Sequence, residues 1–157
     1  MKIRLLILAI AASLVGIGCA PRYSITVAGP RGEAIDAESV IQEVVVRNLA
    51  ARESAGEVVF VAFGESRLHC ADPPEGFFAR LDSMDVRFAP VSRYDRLANP
   101  NAPLLVLGRI GWTTETEATV SVTRVRFGVD ASDGLTAWVV WKSGVWKIAK
   151  STRHWST

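Results

Sequence analysis

Hydrophobic and polar positions along the chain form one helical pattern and several alternating patterns, after an apolar run at the N-terminus. Apolar side chains at Ile41, Val45 and Leu49 recur at helical spacing, which predicts that they share one buried face. Asp36 is a favourable N-cap residue just before them. The pattern therefore predicts a helix over about 37–53.

The rest of the chain shows mainly strand patterns. A short helix is expected after residue 72, with Asp72 as its cap and Phe77 and Leu81 on its buried side. The alternation slips between Val122 and Val125, which suggests a β-bulge. Strands are expected at 58–64, 86–91, 104–112, 117–127, 135–142 and 145–155. This order predicts an α+β fold in which a curved antiparallel sheet, a β-meander, packs against one long and one short helix.

The apolar N-terminal run predicts export. Lys2 and Arg4 precede a stretch at 5–18 that is apolar or small except for Ser13. This stretch has the length of a signal-peptide core and is shorter than the ~20 residues that a membrane-spanning helix needs. We expect a signal peptide over 1–19, a tether over 20–35 and a single α+β domain over 36–157.

The signal could be cleaved in either of two ways. Gly18 followed by Cys19 resembles a bacterial lipobox, in which the cysteine after a small residue becomes lipidated and N-terminal. Ordinary cleavage after Ala20 is the alternative, although Pro21 directly after that bond disfavours it. Lipidation at Cys19 predicts a cell-envelope protein anchored to a membrane. Ordinary cleavage predicts a periplasmic or secreted protein.

The cysteines and the charge narrow the class of protein. With Cys19 in the signal, Cys70 has no partner for an intrachain disulfide, so the domain must be stabilised by its own core. The chain has 18 basic and 16 acidic residues, and two of the basic ones, Lys2 and Arg4, belong to the signal. The mature domain is thus formally neutral, and its charge does not indicate a nucleic-acid partner.

The last strand carries a resemblance to a known family. It contains a Gly-Val-Trp-Lys-Ile run at 144–148 and a His-Trp-Ser run at 154–156. Both runs resemble the final strand of SnoaL-like and nuclear-transport-factor-two-like (NTF2-like) proteins, and the order of elements is similar. The resemblance implies an NTF2-like or cystatin-like roll. Rolls of this kind include enzymes, transport adaptors and inert assembly modules, so the fold alone does not indicate the function.

Arg109, Trp138 and His154 are candidates for the rim of a pocket. The resemblance places His154 near a pocket mouth, where a histidine could transfer protons near neutral pH. A structural hydrogen bond is its alternative role. Trp138 is either a ligand-binding aromatic or part of the core. Arg109, Arg124 and Arg126 could clamp a carboxylate or phosphate if two of them share one face of the sheet, and solvated side chains are the alternative.

His69, Cys70 and Asp72 form the densest cluster of reactive side chains. They could supply a thiolate beside a base, or metal ligands together with His154. Adjacent loop residues seldom point at one centre, so a surface loop leading into a helix cap is the simpler interpretation. We expect no metal and no cofactor, because the sequence shows no zinc spacing and no phosphate-binding glycine loop.

Two functional classes are compatible with these observations. The first is a non-enzymatic envelope lipoprotein, held at the membrane by its lipid anchor, that binds a small ligand or another envelope protein. The alternative is a cofactor-free enzyme with a SnoaL-like pocket that acts on a small hydrophobic substrate. A pocket filled by tryptophans would argue against the enzyme, and a histidine or carboxylate facing apolar walls would favour it. The C-terminal hairpin is locally basic, which suits a solvated face, an anionic lipid surface or an acidic partner.

Overall fold

A computed structural model describes residues 26–28, 34–129 and 131–157, which form an α+β fold. The elements are β1 (Thr26–Ala28), β2 (Ala34–Asp36), α1 (Ala37–Ala50), β3 (Val58–Ser66), β4 (His69–Ala71), β5 (Arg87–Pro90), β6 (Pro103–Thr114), β7 (Glu117–Arg126), β8 (Ala131–Lys142) and β9 (Val145–Ser156). No helix in this part of the chain is long and apolar enough to cross a bilayer. The predicted signal peptide, with Cys19, lies outside the described residues.

Helix α1 begins where the sequence predicts and ends at Ala50, short of the predicted residue 53. The carboxylate of Asp36 accepts the N–H groups of Glu38 at 2.9 Å and Ser39 at 3.3 Å, so it satisfies donors that a helix N-terminus leaves free. Within the predicted tether, β1 pairs with β2 directly before the helix. The buried residues of α1 are Ala37, Ile41, Val45, Val46, Leu49 and Ala50.

The main sheet is mixed, and the expectation of a wholly antiparallel sheet is wrong. Its strand order is β4-β3-β6-β7-β8-β9, and β5 also pairs with β3. Strand β3 runs parallel to β5 and β6, whereas β6 to β9 form the predicted antiparallel meander. Parallel pairing requires a long connection that returns the chain to the same end of the sheet. Residues 67–102 provide that connection between β3 and β6.

The short helix expected after residue 72 is a single 3₁₀ turn at Phe78–Arg80. Asp72 does not cap it, because its carboxylate accepts the N–H of Ser92 at 3.0 Å. Gly76, just before the turn, has a φ of +82°, a left-handed conformation that interrupts a right-handed helix. The predicted burial is nevertheless correct for Phe77 and Leu81, which are 2% and 0% exposed.

The sheet separates two apolar layers. On the side that we call the helix face, α1 packs against side chains such as Val61, Val120 and Val139. The opposite side, the outer face, carries a smaller cluster that includes Phe60 and Leu104. Partly buried side chains packed against this cluster include Val91, Tyr94 and Phe127. The loop after β5 therefore covers part of the outer face.

The slip in the alternation of β7 is not a β-bulge of that strand, contrary to the sequence-based expectation. Strand β7 pairs with β8 in continuous register from Glu117 to Arg126. Val122 belongs to the core on the helix face, whereas Val125 belongs to the cluster on the outer face. One regular strand therefore buries opposite faces at different points along its length.

Candidate functional site

Tryptophans fill one end of the space between α1 and the sheet. Trp146 is 5% exposed and meets Trp112 edge to face, with ring centroids 5.7 Å apart. Trp141 contacts Trp146 as well, at 5.5 Å. The indole N–H of Trp112 donates to Glu38 Oε1 at 3.1 Å, which joins this cluster to the first turn of α1. Side chains therefore fill this end of the space between α1 and the sheet.

Arg124 and Arg126 share the helix face, as a clamp for a ligand would require. Their ion-pair partners, however, are carboxylates of the chain itself. Arg124 Nε lies 3.0 Å from Asp133 Oδ1, and both guanidinium groups also form ion pairs with Glu53, whose side chain is 5% exposed. Arg153 Nε lies 3.1 Å from Asp133 Oδ2, out of line for a hydrogen bond, so this contact is electrostatic. The ionic network consists of Glu53, Glu57, Arg124, Arg126, Asp133 and Arg153.

His154 lines a shallow groove of about 200 Å³ on the outer face. Its Nε2 lies 2.8 Å from Thr136 Oγ1, so one ring nitrogen is held in a hydrogen bond across the β8–β9 pair. The indole of Trp155 lies against Gly134, where a Cβ atom would meet the ring at 2.2 Å. The small residues that line the groove are Gly64, Gly108, Ser121, Thr123, Gly134 and Thr136. His154 therefore makes the structural hydrogen bond that the sequence leaves open as its alternative role.

Arg109 and Trp138 do not line this groove with His154. Arg109 Nη2 lies 3.9 Å from Glu65 Oε1, and both side chains are largely exposed. Glu65 lines the groove, so Arg109 reaches only its margin. Trp138 is half-buried, and Lys150 Nζ lies 5.4 Å from its ring centroid. Since Val139 faces the helix, the neighbouring Trp138 faces outwards.

The side chains of His69, Cys70 and Asp72 do not converge on one centre. Cys70 Sγ donates to a carbonyl of its own hairpin at 3.5 Å, whereas Asp72 holds Ser92. Burial, and then the nearby Asp72 carboxylate, raises the pKa of the Cys70 thiol, which disfavours the thiolate. Hydrogen bonds from Ser92 hold the pKa of Asp72 below its ordinary value. Among the residues described, no three His, Cys, Asp or Glu side chains are placed to hold a metal ion.

A cavity of about 320 Å³, which the sequence does not predict, lies at one end of the outer face. Arg67 from the β3–β4 turn, Arg96 from the loop after β5, and the rings of Tyr94 and Phe127 line this space, which we call the arginine cavity. The two rings are stacked, with centroids 3.9 Å apart. Neither Arg67 nor Arg96 has an ion-pair partner in the described ranges. The remaining lining residues are Val125, Arg126 and Gly128.

Tyr94, which lines the arginine cavity, also carries an unsatisfied polar group in the interior. Its hydroxyl is buried and has no hydrogen-bond partner within the described part of the chain. A buried hydroxyl without a partner costs roughly 1–3 kcal/mol of stability. Arg67-Leu68 and Arg96-Leu97 repeat one residue pair in two polar loops, but Arg80-Leu81 repeats it outside the cavity lining, so the sequence does not single out this site.

The outer face therefore carries both candidate sites, the groove beside His154 and the arginine cavity. Only the arginine cavity reaches the ~300–1,000 Å³ that is usual for small-molecule sites. Three arginines line it. Arg126 pairs with Glu53 and Glu57, whereas Arg67 and Arg96 have no ion-pair partner among the described residues. No family model, no curated protein and no solved structure matches this chain, so its function has to be inferred from these two sites.

Proposed function

We propose that the protein is an exported, lipid-anchored envelope protein that binds a ligand or another envelope component without catalysing a reaction. The arginine cavity and the surface around it form the binding site in this proposal. The observation that carries it is the convergence of Arg67 and Arg96, both without ion-pair partners in the described residues, on one cavity. Guanidinium groups are hydrogen-bond donors only, so their convergence suits an anionic group such as a carboxylate or phosphate.

The anchor in this proposal is a lipid on Cys19. Gly18 before the cysteine, and an apolar run too short to span a bilayer, support this assignment. A tether would then hold the domain at the membrane of the cell envelope. A periplasmic or secreted protein would result if cleavage instead followed Ala20.

Two observations favour binding over the alternative, a cofactor-free enzyme with a SnoaL-like pocket for a small hydrophobic substrate. Trp112 and Trp146 fill the space between α1 and the sheet, and a space filled by tryptophans argues against such an enzyme. His154, the best acid–base candidate, is held by Thr136 in an open groove of about 200 Å³. A general base works best where its substrate is surrounded by protein and water is excluded.

The finer assignment of the fold is also a proposal, namely an NTF2-like or cystatin-like roll. The packing of α1 on the curved meander supports it. The parallel pairing of β3 with β5 and β6 is a departure from a simple antiparallel roll. The single α-helix of the described chain is another.

Labelling at position 98 tests whether the arginine cavity is occupied in the envelope. Ala98 is exposed beside Arg96 and Leu97. In the acylated full chain carrying Cys70→Ala and Ala98→Cys, a polar maleimide should react more slowly in spheroplasts than in detergent. Adding Arg67→Glu and Arg96→Glu should restore the faster rate. The matched control is Asn48→Cys on the exposed side of α1. A cysteine at this position should react at the same rate in spheroplasts and in detergent. Equal rates at position 98 would refute the proposed binding site.

Substitution of Cys19 tests the anchor separately. The natural chain should fractionate with membranes, and its N-terminal peptide should carry the mass of acyl chains on Cys19. Cys19→Ser should lose both properties. A soluble natural chain that begins at Pro21 would contradict the lipid anchor.

A further inference from the structure

The three most exposed large apolar side chains of the described residues belong to turns that line the arginine cavity. Leu97 is 93% exposed, Leu68 is 79% exposed and Val129 is 59% exposed. Each of them directly follows a residue that lines the cavity, so each of three separate turns carries one exposed apolar side chain. We call this set the loop surface, and its members are Arg67, Leu68, Arg96, Leu97 and Val129.

The loop surface combines apolar groups with positive charge. Asp95, the acid next to Arg96, accepts the N–H of Leu97 at 2.8 Å, so its carboxylate holds the turn from which Leu97 projects. Aliphatic side chains beside arginines suit the boundary between lipid and water, where the apolar groups enter the acyl region and guanidinium groups meet lipid phosphates. Arginine is particularly suited to phosphate because its planar donors can bind two oxygens at once.

The composition of the loop surface favours a membrane over a protein partner. Protein interfaces have a contiguous, well-packed core enriched in aromatic side chains, whereas this surface presents three single aliphatic side chains on separate turns, beside two arginines. So few contacts suffice when a tether holds the domain nearby, because tethering raises the effective concentration of the second contact. Cys19 precedes Thr26 of β1 by about seven residues, which span at most ~25 Å when fully extended.

We propose that the loop surface docks on an anionic phospholipid membrane. A lipid phosphate lies in the arginine cavity between Arg67 and Arg96, and the three apolar side chains enter the boundary of the acyl region. This inference rests on the proposed function, since it names the occupant of the same cavity. Because the attraction is partly between charges near water, it weakens as salt rises.

Fluorescence quenching in vesicles tests the inference directly. The acylated full chain with Cys70→Ala and Ala98→Cys carries a fluorophore at position 98 and is reconstituted into vesicles with spin-labelled lipid headgroups. One set of vesicles contains phosphatidylcholine alone, and the other also contains phosphatidylglycerol. We expect at least about twofold stronger quenching with phosphatidylglycerol, and a decrease at high salt. A fluorophore introduced through Asn48→Cys, on the opposite side of the molecule, should be quenched little in either set.

Substitutions in the loop surface then identify the groups responsible. Arg67→Glu with Arg96→Glu should remove the increase that phosphatidylglycerol causes. Leu97→Ser should weaken quenching in both sets of vesicles, and it leaves the fold intact because this side chain is 93% exposed. Equal quenching in the two sets, or at positions 48 and 98, would overturn the membrane inference.

The cellular and vesicle experiments distinguish the inference from the function on which it rests. If position 98 is protected in spheroplasts but not quenched with phosphatidylglycerol, the binding function stands and a small ligand or another envelope component occupies the site. The membrane inference alone then fails. If position 98 is neither protected nor quenched, both proposals fail.

Discussion

The two faces of the sheet use the same residue types for different purposes. On the helix face, Trp146 is buried in the core and Arg124 is held by carboxylates of the chain. On the outer face, Trp138 is half-buried, and Arg67 and Arg96 line a cavity without ion-pair partners in the described residues. Residue type alone therefore does not assign a role here. Both faces carry a buried apolar cluster, but only the outer face also carries two cavity-lining arginines without an ion-pair partner in the described residues.

The largest expected difference between the faces is between two tryptophans of the same hairpin. Trp146→Ala should lower the free energy of unfolding by ~3–5 kcal/mol, because it removes a buried aromatic side chain. Trp138→Ala should cost only about 1 kcal/mol, because this ring is partly solvated and faces Lys150. Denaturant melts of the two variants measure the difference. Equal losses would show that Trp138 is packed as tightly as Trp146, which would contradict the expected difference between the two faces at this hairpin.

The next largest effect should come from the ionic network. Glu53→Gln should destabilise the protein by about 1–3 kcal/mol, since it leaves Arg124 and Arg126 without their shared carboxylate. The control is Arg109→Ala, which breaks an ion pair of two exposed side chains and should change stability by less than ~0.5 kcal/mol. Urea melts of both variants provide the test. If Glu53→Gln leaves the free energy of unfolding unchanged, ion pairs do not stabilise this end of the helix face.

A modest effect is expected at Cys70, which packs against the cluster on the outer face. Cys70→Ala should change stability by less than ~2 kcal/mol. Because burial raises the pKa of this thiol, the folded protein favours the protonated form, and that preference is lost only as the pH rises into the alkaline range. Native Cys70 should therefore react with iodoacetamide more slowly than the unfolded chain at mildly alkaline pH. Faster reaction of the native thiol would reverse this assignment.

Elements with a local signal could be predicted from the sequence. Asp36 caps α1 as expected, because capping depends on residues next to each other in the chain. Ser143 and Gly144 connect β8 and β9 as expected, and both have the positive φ that a two-residue hairpin turn favours. The parallel pairing of β3 could not be predicted in this way, since it depends on strands far apart in the sequence.

The candidate sites also depend on residues that are far apart in the sequence, so they could not be predicted from local patterns. The sequence identifies Arg124 and Arg126 as a possible clamp but not Glu53, the carboxylate that they share across the core. It likewise shows Arg67 and Arg96 in two polar loops without indicating that both line one cavity. Charged side chains acquire a role from their neighbours in space, and those neighbours are set by the topology of the sheet. The buried face of α1, in contrast, could be predicted from residue spacing.

The most direct test of the division between the two faces is the stability of the Arg67→Glu, Arg96→Glu double variant. If these arginines serve binding and not the fold, the free energy of unfolding should match that of the natural chain within about 0.5 kcal/mol. Glu53→Gln, measured beside it, should unfold at clearly lower denaturant concentration. A loss in the double variant as large as that of Glu53→Gln would contradict the account, because it would make Arg67 and Arg96 part of the structure that holds the sheet together.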